Sequence, residues 1–366
     1  MYLALRDIRH SPGRFTLITA VIALMMLLVG FLAGLGGGLS GENISGLLRT
    51  GAGTVVSTAP KDGELYAWAT SEATEEQEAA WREALPGTEV RPIGVTLTRI
   101  EHDGLTAPVT LFGEDPATVR PLDGASPPAD GEIVIAAATA EQLGVDEGGT
   151  VSVGGRELRI SAIADAGAYT HTPVALLTLD DWQRFRVDTH QPEVHATALL
   201  VGDGSILTGG LDGTEALEEE TGALAQPMFS SLLGLEAFKS EIGTIGLMLG
   251  MLFAIAALVV GVFFLVWSMQ RQRDIAVLKA LGAPTSWLQR DSLGQAALIL
   301  VIGIAVGTAG AIGLGVAVMP FVPFVVDWWT IGLPAAAMLV AGLIGSLVSV
   351  RQIDRADPLV ALNATA

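Results

Sequence analysis

The chain has no cysteine and only three lysines, Lys61, Lys239 and Lys279. The first absence excludes disulfides, zinc–thiolate sites, iron–sulfur clusters and covalent c-type haem attachment. The second bears on nucleotide chemistry, because the phosphate-cradling pattern G-x-x-x-x-G-K-[ST] needs a glycine just before its lysine. Lys239 is followed by Ser240, but Phe238 stands where that glycine must be. If ATP drives this chain, the ATP is bound on another polypeptide. No serine sits in a G-x-S-x-G elbow, so the chain is expected to be no enzyme. Metal-ligand spacing is missing as well. His190 and His195 flank Gln-Pro-Glu-Val, which is no standard ligand spacing, and both read as solvated loop histidines. Tyr169-Thr170-His171 reads as loop packing, with ligand binding as the alternative.

Charge is absent in a more telling way. Asp, Glu, Lys and Arg are missing from residues 15–41, 242–270, 292–326 and 328–350. A spanning helix needs about 20 apolar residues, and one central charge costs roughly 2.5–3.5 kcal/mol on insertion. All four windows qualify. The first has an apolar core longer than the roughly 7–15 residues of a signal peptide and no Ala-x-Ala site after it, so it reads as an uncleaved span. The expected fold is a polytopic α-helical membrane protein. It has four transmembrane helices arranged 1+3, and a mixed α/β extracytoplasmic domain lies between the first and second. The segments are 1–14 (cytoplasmic), 15–41 (first span), 42–241 (extracytoplasmic domain), 242–270 (second span) and 271–291 (cytoplasmic loop). The third span follows at 292–326, the fourth at 328–350, and a cytoplasmic tail at 351–366.

Orientation follows from the bases. Residues 1–14, 271–291 and 351–366 hold nine Lys or Arg against five acids, whereas residues 42–241 hold eleven against 33. Short basic loops stay inside, so both termini are expected in the cytoplasm and the acidic domain outside. Its acidity argues against nucleic acid as a partner. Within the domain, strands are expected at 95–100, 131–136 and 156–164. Helices are expected at 74–85, with Ala79, Ala80 and Leu85 inward, and at 138–145. A further helix, capped by Asp180 or Asp181, should follow the strand that begins near Pro173. Small residues recur every fourth position in the third span (Gly303, Gly307, Ala311, Gly315) and the fourth (Ala337, Ala341, Gly345, Ser349). They read as a packing pair. Gly30, Gly34 and Gly38 share one face of the first span and read as a ligand slot or a dimer seam.

The stretch RQRDIAVLKALGAP (271–284) follows the second window. Arg271, Asp274, Ile275, Ala276, Leu278, Lys279, Ala280, Leu281, Gly282 and Ala283 match the cytoplasmic helix of the MacB/FtsX-like class of ABC transporter permeases, which the chain resembles over nearly its whole length. RQIDRADPLVALN (351–363) is similar to that family's closing segment, and residues 132–164 look like its outer β unit. The resemblance implies that 271–281 is a coupling helix, in which Ile275, Leu278 and Leu281 share one face and Arg271, Arg273 and Lys279 meet acidic rims. The alternative is an interfacial helix lying on anionic lipid. The resemblance also implies a homodimer with the first and second spans at its seam. It would be served by two copies of a separate ABC ATPase that binds the ATP, and membrane lipid surrounds the spans. No charged residue or histidine lies in any window, which fits no water-lined channel. The nearest groups look like the haem-efflux (HrtB-like) and DevC-like permeases. Haem as transported ligand, with no intrinsic cofactor, would need an axial ligand and a cation for its propionates. Met25, Met248, Met251 and Glu42 are the ligand candidates, Phe31 a stacking partner, and Arg49 the cation. No other metal is expected. The competing functions are a transmitter that activates an extracytoplasmic partner, and export of lipid, lipoprotein or antibiotic.

Overall fold

The computed structural model describes residues 12–61, 66–122, 124–205, 209, 211, 213–270 and 284–350. It forms two compact units, one of residues 39–242 and one of residues 1–38 with 243–366.

The inserted unit begins on a helix. Helix α1 (Pro12–Arg49) runs well past the end of the first charge-free window. It continues because Ile44 and Leu47, one turn apart, are buried in the domain's core, and it stops where Gly51 takes a left-handed conformation (φ 66°). The strands are β1 (Ala52–Thr58), β2 (Val90–His102), β3 (Leu105–Glu114), β4 (Glu132–Ile135), β5 (Thr150–Val153), β6 (Arg156–Ile163), β7 (Ala168–Tyr169), β8 (Thr172–Thr178), β9 (Ala198–Asp203) and β10 (Ala223–Pro227). The sheet order is β10-β1-β9-β2-β3-β8-β4-β6-β5, and β5 also pairs with β2. The ring β2-β3-β8-β4-β6-β5 therefore closes on itself. It can close because β2 is 13 residues long: its first half pairs with β9 and its second with β5. Inside lie Ile100, Leu111, Ile133, Val151, Ile160 and Trp182. The alternation expected at 156–164 holds along β6.

Helix α2 (Glu75–Ala84) starts with a capping box, Thr74 with Gln77. Its inner face differs from expectation: Gln77, Glu78 and Trp81 are buried while Ala79 is exposed. Trp81 has the larger apolar surface to hide, and that sets the rotation of the helix. Helix α3 (Ala137–Leu143) ends on left-handed Gly144. Helix α4 (Leu179–Asp188) is capped by Thr178, not by an aspartate. Asp181 instead lies buried and accepts from the Gly131 amide at 2.6 Å. Short helices α5 (Glu215–Thr221) and α6 (Met228–Leu232) flank β10.

The membrane unit holds most of α1 with α7 (Glu236–Gln270), α8 (Thr285–Val318) and α9 (Leu333–Val350). All four helices are long and apolar enough to cross a membrane, α9 together with the π-helical turn before it. Helix α8 ends before its window does, because Pro320 and Pro323 cannot continue it. Asp327 then caps that turn (Trp328–Gly332) through Thr330. The third and fourth spans do pack on each other, with Gly342 of α9 against Leu300 of α8, but their small-residue stripes do not face each other. A Cβ on Gly303 would strike Ile22 of α1, and one on Gly307 would strike Ala23 and Met26 of α1. On α9, Gly345 lies against Ala257 and Gly261 of α7. Helix α8 therefore meets α1 along Gly303 and Gly307 while Gly315 takes the Phe324 ring, and Gly345 of α9 meets α7. Gly30, Gly34 and Gly38 are not an open slot: they are filled by Ala311, the Phe324 ring and the Pro323 backbone.

Candidate functional site

Strands β7 and β8 turn through Thr170 and His171, whose φ angles are 47° and 61°. Neither is glycine, and a left-handed non-glycine residue costs on the order of 1–3 kcal/mol. The strain is offset by contacts with α1. The Thr170 amide donates to the Asn43 carbonyl at 3.0 Å and the His171 amide to the Glu42 carbonyl at 2.9 Å. The Ala168 amide donates to Ser45 Oγ at 2.8 Å. Gly46 and Gly167 permit this approach, since a Cβ on Gly167 would lie 2.6 Å from the Gly46 nitrogen.

The His171 ring lies between two acids. Nδ1 is 3.2 Å from Glu42 Oε2, and Nε2 is 2.8 Å from Glu241 Oε1. Asn43, fully buried, donates Nδ2 to Glu241 Oε2 at 2.6 Å. Glu42 belongs to α1 and Glu241 to α7. Burial alone pulls the His171 pKa down, but the hydrogen bonds and charges of Glu42 and Glu241 together raise it above its ordinary value. Glu42 and Glu241 lie 129 and 70 positions from His171, so no spacing rule joins them. The available signal was that Glu42 and Glu241 are the acids bounding the first two charge-free windows.

Arg49, the propionate candidate, pairs with Glu114 and its side chain is 13% exposed. Arg91 and Arg120 both donate to the Thr50 carbonyl, at 2.8 and 2.9 Å. Three cations thus gather at the C-terminal end of α1, where the free carbonyls carry negative partial charge. In the membrane unit, Met25 is half-buried against the helix core. Phe31 packs on Phe324 with ring centroids 5.4 Å apart. Met248 and Met251 face outward from α7, 47% and 58% exposed. The coupling residues Arg271, Arg273, Ile275, Leu278, Lys279 and Leu281 lie outside the described residues. His195 is not a solvated loop histidine: its Nε2 hydrogen-bonds Glu78. Among the described residues no group of three or more His, Cys, Asp or Glu is arranged for a metal ion.

Comparison with known proteins bears on the whole chain. Residues 17–207 match the MacB-like periplasmic core domain, and residues 246–358 match the FtsX-like permease C-terminal domain. A Staphylococcus haemolyticus protein that carries the name hemin transport system permease protein HrtB is 25% identical over 99% of both chains. An ABC transporter permease of Mycobacterium tuberculosis is 26% identical over 74% of each chain. The extracellular domain of the transporter YknZ, 17% identical, covers 48% of this chain and 99% of its own with a TM-score of 0.34. With its four apolar helices and inserted α/β domain, the chain belongs to the MacB/FtsX-like family of ABC transporter permeases.

Proposed function

We propose that this permease works with a separate ABC ATPase to move a hydrophobic ligand outward, and that the ligand is haem. The observation that carries this reading is the end-to-end similarity to the HrtB-named relatives, 25% over 99% of both chains. The absence of charge from all four windows supports an apolar ligand collected from the bilayer over a polar solute. Both termini face the cytoplasm, and two chains associate with two ATPase subunits. A homodimer is supported by α7, whose span has fewer buried residues than that of α1, and by Gly243, Gly246 and Gly250, which have open space beside them. Residues 271–281 dock on the ATPase.

For haem, Met25, Met248 and Met251 offer a soft thioether and Glu42 a carboxylate. Arg49 is the propionate candidate, and Glu114 already engages it. The test is haem titration of the purified full chain, followed by Glu42→Ala, Met25→Ala, Met248→Ala and Met251→Ala separately. A saturable Soret shift that one variant removes supports the reading, and no saturable binding ends it. Orientation is checked in whole cells: a cysteine at Ser126 should react with an impermeant thiol reagent and one at Ser286 should not.

A further inference from the structure

The β7–β8 hairpin tip meets the two helices that enter and leave the inserted domain. One imidazole nitrogen of His171 faces Glu42 on α1 at 3.2 Å, and the other faces Glu241 on α7 at 2.8 Å. Asn43 closes the group by donating to Glu241. The tip is strained at both Thr170 and His171, and backbone strain of this kind persists only where the surroundings over-determine it. Here the surroundings are α1 itself, which accepts from both strained amides. Among the described residues, His171 is the only side chain that hydrogen-bonds Glu42. The Glu42 side chain is nonetheless 46% exposed, so its remaining oxygen is reachable.

We propose that His171 is a clasp and a positioning residue: it joins the domain-side ends of α1 and α7 through Glu42 and Glu241, and it fixes the Glu42 carboxylate for a ligand. The second half rests on the haem reading above, and the first does not. A group held by one helix and oriented from another makes ligand affinity depend on how the two helix ends are joined. Removing the outer partner of a metal-binding carboxylate typically costs 10- to 100-fold in affinity.

The test uses the full chain in lipid nanodiscs. The chain has no cysteine, so spin labels at Gly41→Cys and Ser240→Cys have a clean background. Gly41 has open space for a side chain, and Ser240 is exposed. Labelled chain is diluted with unlabelled chain to suppress distances between copies. One narrow 41–240 distance is expected, broadened by His171→Ala. His171→Asn, which tolerates the left-handed backbone, should broaden it too, so misfolding of the tip is not the cause. An unchanged distribution in both variants overturns the clasp, and so does equal broadening by the distant His195→Asn. In parallel, haem affinity should fall about 10- to 100-fold in His171→Asn. Unchanged affinity beside a broadened distance overturns the positioning role alone. If the unmodified chain binds no haem, the cargo reading fails and the positioning role falls with it, while the distance still decides the clasp.

Discussion

In the inserted domain the buried Trp182 ring lies against Gly94 and Gly113 and donates its indole N–H to Thr96 at 3.0 Å. In the membrane unit the buried Phe324 ring lies against Gly34 and Gly315 and has nothing to donate. Both glycine notches admit a ring, but different forces fill them. Around the domain, water drives apolar surface inward and each buried polar group needs a partner. Around the spans, lipid is as apolar as the side chains, so association depends on how closely backbones approach. Substitution should therefore act by emptying space in the domain and by filling it between the spans.

The largest effect is expected at Trp182. Trp182→Ala removes a fully buried side chain from the closed ring and should cost about 3–5 kcal/mol. The check is calorimetry of the full chain in nanodiscs, where the domain's transition should fall and that of the spans should hold. A polar change comes next. Arg91 is buried and donates to the Thr50 and Thr118 carbonyls, and hydrogen bonds to a charged group are worth about 1.5–3 kcal/mol. Arg91→Ala should lower the same transition by an amount in that range, whereas Arg91→Lys should recover only part of it, since an ammonium lacks the fork that reaches both carbonyls.

The spans should respond in the opposite sense. Gly307→Val inserts atoms where Ala23 and Met26 already sit, and overpacking costs about 1–3 kcal/mol. Gly313, on the same helix, has nothing within 4 Å, so Gly313→Val should be near neutral. Protease susceptibility of the reconstituted chain distinguishes the two. Equal sensitivity at both positions would mean that helix propensity, not close approach, decides.

The two regions also differ in what the sequence makes legible. Lipid imposes a one-dimensional rule, no charge for about 20 residues, and that rule can be read without knowing any neighbour. The spans and the intervening domain were visible on that ground. Which helix each stripe meets was not, because Gly303 and Gly345 look alike in sequence and only the fold shows that one meets α1 and the other α7. In the domain, β6 announced itself by alternation, but β1 and β10 did not. β1 is buried along six of its seven residues and so shows no period. Helix α1 outran its window because apolar contacts at Ile44 and Leu47, not local charge, decide where it stops. Of the Glu42–His171–Glu241 group, Glu42 was legible as a ligand candidate and Glu241 as the acid before the second window, but their meeting was not, because no spacing joins residues that only the hairpin brings together.

The smallest expected effect is a pH dependence confined to the domain. The His195 pKa is raised chiefly by its hydrogen bond to Glu78, with the charges of Glu78 and Glu75 adding to it and partial burial and Arg82 opposing it. A folded-state pKa above the unfolded value of about 6.5 means that the folded chain holds the proton more tightly. The stabilisation is therefore fully present below about pH 6.5 and is lost as pH rises through the folded pKa. His171, also raised, has the same sign. The domain's transition temperature should fall modestly between pH 6 and pH 8, while that of the spans, whose windows hold no histidine or charge, should not move. His195→Asn should flatten the slope in part, and His171→Asn with it should flatten the rest. A span transition that follows pH as steeply as the domain's would erase the contrast between the two units, and a slope untouched by both substitutions would assign the titration elsewhere.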